Sequence, residues 1–228
     1  MAVDNRVCHF RGRRIRGTTG NILSANRFDK LRLPLVRVPG TVTTVRGVKA
    51  LDKTLNGVVL LEPTVYTDDR GEFYESYNRK TFEEVTGFEG EFLQDNHSTS
   101  VKGVLRGIHY QLPRPQGKLV RCIDGEIWDV AVDLRRSSPT FREWKGYHLS
   151  AENRHQLWIP VGFGHGFVAL SEITQVLYRT TELWDPECDR SIRWDDPDLD
   201  IAWPLESPPT LSAKDTSAPG TNDALLFD

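Results

Sequence analysis

The histidine with the most distinctive context is His165, which lies in residues 156–170 (QLWIPVGFGHGFVAL). Pro160 fixes its own φ and removes a hydrogen-bond donor, while Gly162 permits a turn with positive φ. The spacing Pro-x-Gly-x-x-His therefore predicts that His165 follows a tight turn and enters an apolar strand at the opening of a small β-barrel. In isolation the same pattern is more typical of a hairpin with a surface histidine.

A second polar cluster lies upstream and favours the barrel interpretation. Arg106 and His109 occur in the segment RGIH, and Lys118 and Arg121 occur in QGKLVR, at the spacing expected for a pair of facing strands. An imidazole accepts and donates protons near neutral pH. Together with His165, these residues predict a polar site inside a barrel.

The histidines do not form the pattern of a metal site. Metal-binding β-barrels of this kind present two histidines one residue apart, then a glutamate, and then a third histidine from a later strand. Here the first pair is replaced by His109-Tyr110-Gln111, so only His109 and His165 remain. Zinc and non-heme iron take three or more protein ligands. We therefore expect no metal, and we expect His109 to be free for proton transfer.

Length and composition indicate one domain with additional segments. The chain has 228 residues, of which 38% are hydrophobic, enough for one core. Its apolar runs, such as residues 58–61, have the length of a strand, far below the roughly 18 to 20 residues of a membrane-spanning helix. Cys8, Cys122 and Cys188 are far apart and form no CxxC pair, which argues against a disulfide framework and a cysteine zinc site. We expect a soluble, cytoplasmic protein in which Cys122 is a buried structural thiol.

Charge divides the chain into two parts. Residues 1–53 hold 12 Lys/Arg and 3 Asp/Glu, a net charge of +9, whereas residues 54–228 hold 17 and 29, a net charge of −12. The first part lacks sustained periodicity, so we expect residues 1–53 to form a basic, largely disordered extension and residues 54–228 to form the folded domain. The extension has three interpretations, namely a transit peptide, a basic tail for an anionic surface, or upstream sequence translated from a mis-set start. We favour the last, or a tail without a specific role.

The folded part is predicted to be all-β. Short apolar segments separated by turn residues are typical of a barrel or sandwich. The predicted strands are residues 57–64, 71–77, 92–98, 103–111, 119–123, 126–134, 145–149, 156–159, 165–170 and 175–183.

Three local features are predicted in addition. The dipeptide Asp124-Gly125 predicts a hairpin turn over residues 119–134, with one face of the returning strand in the core. Thr81 is expected to cap a short helix, with Glu84 completing a capping box and Gly87 ending the helix. Residues 195–209 are acidic, rich in proline and poor in packing residues, so another part of the molecule is expected to hold them.

Eight short strings, in one order, give the chain a close resemblance to the dTDP-4-dehydrorhamnose 3,5-epimerase family over about residues 57–226. They are residues 68–71 (DDRG), 73–78 (FYESYN), 94–98 (QDNHS), 104–109 (VLRGIH), 117–122 (GKLVRC), 157–160 (LWIP), 177–179 (LYR) and 211–215 (LSAKD). The resemblance implies a cupin-type jelly roll, usually a homodimer, that acts without a cofactor. The implied substrate is dTDP-4-dehydro-6-deoxy-D-glucose, a dTDP-4-keto-6-deoxyhexose, on the route to dTDP-L-rhamnose.

The resemblance also implies catalytic roles for four residues. His109 corresponds to the family's base, and Asp215 to the aspartate that orients the base. Lys118 corresponds to the lysine that faces the enolate formed when a proton leaves a carbon beside the C4 ketone. Tyr178 corresponds to the acid that returns a proton from the opposite side of the sugar ring.

Substrate-binding roles are implied in the same way. Arg70 and Arg106 have planar guanidinium groups that suit diphosphate oxygens. This chain has Leu183-Trp184 where relatives often have an aromatic pair, so Trp184 is expected to stack on thymine. Asp189 lies where relatives often have a glutamate, one methylene longer. The other implied contacts, around the base, diphosphate and sugar, are Glu75, Gln94, Asp95, Asn96, Lys118, His165 and Lys214.

Three alternatives remain open from the sequence. The same residues would serve an enzyme that epimerises one carbon only, in another deoxysugar pathway. A non-catalytic cupin that binds a sugar nucleotide, and a metal-dependent cupin, are alternatives of other classes. We expect no nucleic acid and no membrane among the partners of the folded domain.

Overall fold

The computed structural model describes residues 44–45 and 47–228, and for Thr44 and Val45 it describes the backbone only. The strands are β1 (Thr44–Val45), β2 (Val48–Asp52), β3 (Val59–Pro63), β4 (Val65–Asp68), β5 (Gly71–Tyr74), β6 (Gln94–Val101), β7 (Leu105–Gln111), β8 (Lys118–Asp124), β9 (Glu126–Asp133), β10 (Trp144–Ser150), β11 (Gln156–Ile159), β12 (Phe163–Ala169), β13 (Ile173–Thr180) and β14 (Asp189–Ser191). The helices are α1 (Arg79–Thr86) and α2 (Ala213–Thr216). All ten predicted strands have counterparts.

Two antiparallel sheets face each other, as expected for a cupin-type jelly roll. One sheet has the order β1-β2-β3-β11-β8-β13-β6, the other has the order β10-β9-β12-β7-β14, and β4 and β5 form a separate two-stranded ribbon. Apolar side chains from both sheets meet in a common interior core, to which β8 contributes Val120, β13 Val176, β9 Ile127 and β12 Phe167. The all-β prediction is confirmed.

The predicted hairpin at Asp124-Gly125 is wrong. Although Gly125 has the positive φ expected of the turn, at 72°, strands β8 and β9 belong to different sheets. β8 pairs with β11 and β13, while β9 pairs with β10 and β12. A tight turn at Gly125 thus takes the chain across the barrel edge, because each strand finds its partners elsewhere in the sequence.

Both faces of β9 are buried, whereas one was predicted to be core. Ala131 and Ile127 point into the barrel, while Val130 and Val132 lie on the outside of the sheet. The outer face is covered by the C-terminal segment, which contributes Leu199, Leu226 and the partly buried Trp203 among others. Residues 195–209, which were predicted to be poor in packing residues, therefore contribute to a second hydrophobic core.

The helix prediction is correct in place but wrong at its N-terminus. Asn78, not Thr81, is the N-cap, and its side chain accepts a hydrogen bond from the backbone N–H of Thr81. Gly87 ends the helix in the left-handed conformation, as predicted. The helix buries Phe82 and Val85 against the outer face of the seven-stranded sheet.

Ordered structure begins before residue 54. Strand β2 pairs with β3, and two of its neighbouring basic residues serve the domain, since Lys49 pairs with Glu62 at 3.4 Å and Lys53 donates to the carbonyl of Val85. Strand β2 and these two lysines therefore contact the domain that follows them. The rest of the predicted extension, residues 1–43 and 46, lies outside the described residues.

Candidate active site

A cavity of about 590 Å³ lies between the two sheets. Eleven of the fourteen predicted site residues line it: Gln94, Asn96, Arg106, His109, Lys118, His165, Tyr178, Trp184, Asp189, Lys214 and Asp215. The cavity is within the size range of small-molecule sites, and it combines a few convergent polar groups with apolar walls. Most of the residues that the sequence analysis named therefore line one cavity.

A bulge in β7 brings Arg106 and His109 to the same cavity. On β12, the paired residues His165 and Phe167 are two positions apart. Their partners on β7, His109 and Arg106, are three positions apart. The extra residue on β7 reverses the usual alternation of faces. The bulge requires Gly107, whose φ is 140° and where a Cβ would lie 2.4 Å from the Cα of Gly166.

His109 is bonded to Asp215 across 106 residues of sequence. The distance from His109 Nε2 to Asp215 Oδ1 is 2.5 Å, and the second oxygen, Oδ2, accepts from Ser212 Oγ at 2.8 Å. Ser212 also caps α2, so the cap fixes the carboxylate that holds the imidazole. An ionised carboxylate only accepts hydrogen bonds, so Nε2 carries the proton and Nδ1 is left as the basic nitrogen.

The two groups shift each other's pKa. Burial lowers the pKa of His109, and the hydrogen bond to Asp215 partly opposes this effect. Burial alone would raise the pKa of Asp215, but the hydrogen bond from His109 brings it below its ordinary value. His109 is therefore a neutral base near pH 7, held by an ionised aspartate.

A second histidine–aspartate pair joins His165, which lines the same cavity, to the buried Asp129, which does not. His165 Nε2 is 3.1 and 2.9 Å from the two oxygens of Asp129, which is fully buried on β9. Burial raises the pKa of Asp129, and the neighbouring His165 and Lys118 oppose this rise. The sequence analysis missed Asp129. The alternation of β9 could have predicted it, because Asp129 is two residues from the inward-facing Ala131 and therefore lies on the same face.

Lys118 is a buried cation between the two walls. It is 6% exposed and donates from Nζ to the carbonyl oxygen of His109 at 3.1 Å. Burial lowers its pKa to about 8, with the charges of Asp189 and Asp129 opposing the fall. The ammonium is thus ready to stabilise negative charge that forms near His109.

Tyr178 lies on the wall opposite His109. It belongs to β13 of the seven-stranded sheet, whereas His109 belongs to β7 of the five-stranded sheet, and both line the cavity. Burial raises the pKa of the Tyr178 phenol, an effect that the charge of Arg106 opposes. The phenol therefore keeps its proton at neutral pH.

The remaining polar groups form the rim. Arg106 donates to Ser100 Oγ at 3.0 Å, and Lys214 is 2.5 Å from Asp189, which ties the C-terminal segment to β14. Gln94 bonds at both ends of its amide: the nitrogen donates to Asn96 Oδ1 at 2.7 Å, and the oxygen accepts from the backbone N–H of Trp184 at 2.9 Å. The Trp184 side chain is 56% exposed.

Three predicted site residues do not line this cavity. Arg70 lies at the turn between β4 and β5, where it pairs with Asp68, and its side chain is 90% exposed. Glu75 follows β5 and accepts a hydrogen bond from Asn78. Asp95 points to the outer face of β6, 3.3 Å from Arg179.

The other sequence-based expectations concern metals, cysteines and membranes. Among residues 47–228, no group of three His, Cys, Asp or Glu side chains is arranged to hold a metal ion. Burial raises the pKa of Cys122 to about 11, and its thiol bonds the carbonyl of Asp124, which fits the predicted structural thiol. Neither helix of the described part of the chain has the length and apolar character needed to cross a membrane.

Comparisons with known proteins agree with this geometry. The family model described as dTDP-4-dehydrorhamnose 3,5-epimerase matches residues 52–223. The chain is 56% identical to a dTDP-4-dehydrorhamnose 3,5-epimerase from Pseudomonas aeruginosa, over 79% of this chain and 99% of the relative. It is 55% identical to the enzyme of the same name from Salmonella typhimurium, over 75% of this chain and 94% of the relative.

A crystal structure from Legionella pneumophila gives the same result. It is that of a dTDP-6-deoxy-D-glucose-3,5-epimerase in complex with dTDP-4-keto-L-rhamnose. This structure is 46% identical, has a TM-score of 0.75, and matches over 77% of this chain and 94% of that chain. The chain belongs to the dTDP-4-dehydrorhamnose 3,5-epimerase family and is an isomerase.

Proposed function

We propose that this epimerase inverts both C3 and C5 of dTDP-4-dehydro-6-deoxy-D-glucose, giving dTDP-4-dehydro-L-rhamnose, without a cofactor and on the route to dTDP-L-rhamnose. The single observation that carries the mechanism is the arrangement of His109 with Asp215 on one wall, Tyr178 on the other, and Lys118 beside His109. The names of the curated relatives support the substrate and the two carbons.

His109 acts as the base. Its Nδ1 removes the proton from the carbon beside the C4 ketone, and the electrons of the C–H bond move to the ketone oxygen to form an enolate. The imidazolium that results is stabilised by the 2.5 Å hydrogen bond to Asp215. Because Asp215 fixes Nε2 as the donor, the tautomer is ready before the substrate arrives.

Lys118 stabilises the enolate and Tyr178 completes the inversion. A preorganised ammonium in a site closed to water is worth roughly 3 kcal/mol to a developing oxyanion. Tyr178 then donates its proton to the carbon from the face opposite His109, the enolate returns to the ketone, and the configuration is inverted. The phenolate regains a proton, and His109 releases the one that it took, to solvent.

The rim residues bind the nucleotide. Arg106 and Lys214 supply positive charge for the diphosphate, and Trp184 offers an exposed indole for stacking on thymine. Asn96 and His165 line the sugar end. Asp189 is proposed to orient Lys214, and the 2.5 Å ion pair between them supports this role. Gln94 accepts a hydrogen bond from the backbone of Trp184.

The active form is proposed to be a homodimer in which the β4–β5 ribbon serves the partner. The strands of the ribbon pair only with each other, and its Tyr66 and Phe73 are 61% and 71% exposed. Large exposed aromatic side chains are typical of a protein interface. Arg70 and Glu75 at this ribbon would then reach the partner's cavity, which explains why they are remote from their own. Asp95, on the outer face of β6, stays a predicted contact.

The extension and the location also stay predictions. We propose that residues 48–228 form the catalytic domain, that the preceding residues form a basic extension, and that the enzyme acts in the cytoplasm. The start of β2 supports the revised boundary.

Deuterium exchange tests the proposed function. In D₂O, the purified enzyme is expected to introduce deuterium at both C3 and C5, as read by NMR of the product. Exchange at one carbon only would replace the proposal by the single-carbon epimerase. Exchange at neither carbon would leave a sugar-nucleotide-binding cupin. Loss of exchange with a chelator, together with bound metal in elemental analysis, would favour a metal-dependent cupin.

The matched control is His109→Ala. It is expected to abolish exchange while dTDP affinity stays within about tenfold, because the base acts in the transition state rather than in ground-state binding. Unchanged turnover of this variant would refute the assignment of the base.

A further inference from the structure

Gln111, at the end of β7, has every donor of its side chain engaged although it borders the cavity. It is 2% exposed, and its amide nitrogen donates to the carbonyls of Arg114 at 2.9 Å and Leu183 at 3.2 Å. Its amide oxygen accepts from the backbone N–H of Asp185 at 2.8 Å. A glutamine amide has two N–H donors and one oxygen acceptor. Gln111 therefore has no donor left for a ligand.

Two of the main-chain groups that Gln111 bonds flank Trp184. They are the carbonyl of Leu183 and the N–H of Asp185. The backbone N–H of Trp184 itself is bonded by Gln94 from β6. Three consecutive residues, Leu183 to Asp185, thus have their main chain held by two glutamine side chains that project from strands of opposite sheets. The Trp184 indole, by contrast, is left 56% exposed.

A fixed main chain at residues 183–185 that carries an exposed indole is a preorganised stacking platform. An exposed indole on a loose loop would lose conformational freedom when a base stacked on it, and that loss would weaken binding. Fixing the main chain before the ligand arrives removes most of that cost. The loop is also tied from outside by Arg114, which pairs with Glu182 at 2.8 Å and Asp185 at 3.0 Å.

We propose that Gln111 is a positioning residue for nucleotide recognition, which acts by holding the Leu183–Asp185 main chain so that Trp184 is presented to the thymine base. The inference rests on the proposed function, since it requires a dTDP-linked substrate. It assigns Gln111 to binding and not to the proton transfers, so its removal raises KM and Kd and leaves kcat in place.

The test measures dTDP binding by calorimetry for Gln111→Met, Trp184→Ala and the double variant. Base–aromatic stacking makes Trp184→Ala weaken dTDP binding by about tenfold. Gln111→Met is expected to weaken it by about three- to tenfold with kcat within about twofold, and the double variant is expected to bind no more weakly than Trp184→Ala alone. Effects that multiply in the double variant, or unchanged dTDP affinity in Gln111→Met, would overturn the proposal.

The matched control is Gln175→Met. Gln175 lies on β13 outside the cavity and also has both ends of its amide bonded, to Asp124 and His97. It is expected to leave dTDP binding unchanged, and an equal loss in this control would show that any bonded glutamine has the same effect and would overturn the proposal.

A measurement on the unsubstituted protein covers the case in which Gln111→Met does not fold. The backbone amides of Trp184 and Asp185 are expected to be protected from hydrogen exchange equally with and without dTDP. Amides that gain protection only when dTDP is added would overturn the proposal, because the platform would then form on binding. Failure of the proposed function has a different signature, namely no dTDP binding by the unsubstituted protein.

Discussion

His109 and His165 lie directly opposite each other on β7 and β12, and each imidazole bonds its own buried aspartate. The two pairs differ in how their aspartates are carried. Asp129 is part of strand β9, whereas Asp215 belongs to a one-turn helix near the C-terminus that docks against β7. The barrel therefore fixes one pair by itself, and the other is completed only when the C-terminal segment packs. This difference determines which substitutions change catalysis and which change folding.

Asp215→Asn is expected to lower kcat on the order of 10² to 10⁴-fold, because an orienting aspartate fixes the tautomer of its histidine and stabilises the imidazolium. The hydrogen bond to Asp215 raises the pKa of His109 against the effect of burial. Without it, that pKa falls further, so the acid limb of the kcat/KM profile moves to lower pH. The pH dependence of initial rates measures both effects.

Asp196→Asn is the control for this substitution. Asp196 is equally buried in the C-terminal segment and bonds Thr221, but it does not line the cavity. It is expected to reduce stability without moving the acid limb. An acid limb that stays in place in Asp215→Asn would contradict the role assigned to Asp215.

Tyr178→Phe is expected to separate exchange from inversion. His109 can still remove a proton and return one to the same face, so deuterium enters the substrate in D₂O. Inverted product does not accumulate, because the donor on the opposite wall is gone. NMR of the recovered sugar nucleotide distinguishes the two outcomes.

Tyr147→Phe is the matched control, since Tyr147 is a buried tyrosine of the interior core that does not line the cavity. It is expected to epimerise normally. Normal inversion by Tyr178→Phe would remove Tyr178 from the mechanism and would require another acid on that wall.

The sequence predicted the strands and most of the cavity lining because these depend on local pattern and on recognisable strings. It failed where partners are distant along the chain. The Asp124-Gly125 turn has hairpin chemistry, yet strands β8 and β9 find their partners elsewhere, so the turn joins two sheets. No local pattern encodes that choice.

The same limit applies to the site. Asp129 was missed because a single aspartate in an alternating strand is usually a solvent-facing residue. Its side chain instead shares the inward face of β9 with Ile127 and Ala131, so the opposite sheet of the barrel covers it. Arg70 and Glu75 were predicted from their strings, and a single chain does not bring them to the cavity.

Lys118→Met is expected to make the protein more stable at pH 7 and far less active. Lys118 has a pKa of about 8 in the folded protein and an ordinary value of 10.5. The folded state therefore binds this proton less well than the unfolded state. The resulting destabilisation is complete below pH 8 and disappears as the pH rises toward 10.5.

The size of the effect follows from the shift. A pKa shift of this size corresponds to at most about 3 kcal/mol of stability. Methionine also removes the cation next to Asp129, which offsets part of that gain. The free energy of unfolding is therefore expected to rise by about 1 to 3 kcal/mol. Turnover is expected to fall on the order of 10² to 10³-fold, as for loss of one oxyanion donor. Thermal unfolding at pH 7 tests the predicted gain in stability, and steady-state rates test the predicted loss of turnover. A Lys118→Met variant that is less stable and fully active would contradict both predictions.

Asp129→Asn is expected to move the alkaline limb of kcat to lower pH. In the unsubstituted enzyme kcat is expected to fall above about pH 8, because Lys118 would lose the proton with which it is proposed to stabilise the enolate. The charge of Asp129 helps to hold that proton, so its removal lowers the pKa of Lys118, although the charge of Asp189 still opposes the fall. The pH profile of kcat at saturating substrate is the measurement.

Asp133→Asn is the control, since Asp133 is also fully buried on β9 but bonds Arg135, Ser138 and Thr140 outside the cavity. Both variants lose a buried carboxylate, and both are expected to unfold at lower temperature. Only Asp129→Asn is expected to shift the limb, because only Asp129 acts on Lys118. If the two profiles coincide, Asp129 contributes to stability alone, and the counter-charge of Lys118 must be supplied by Asp189.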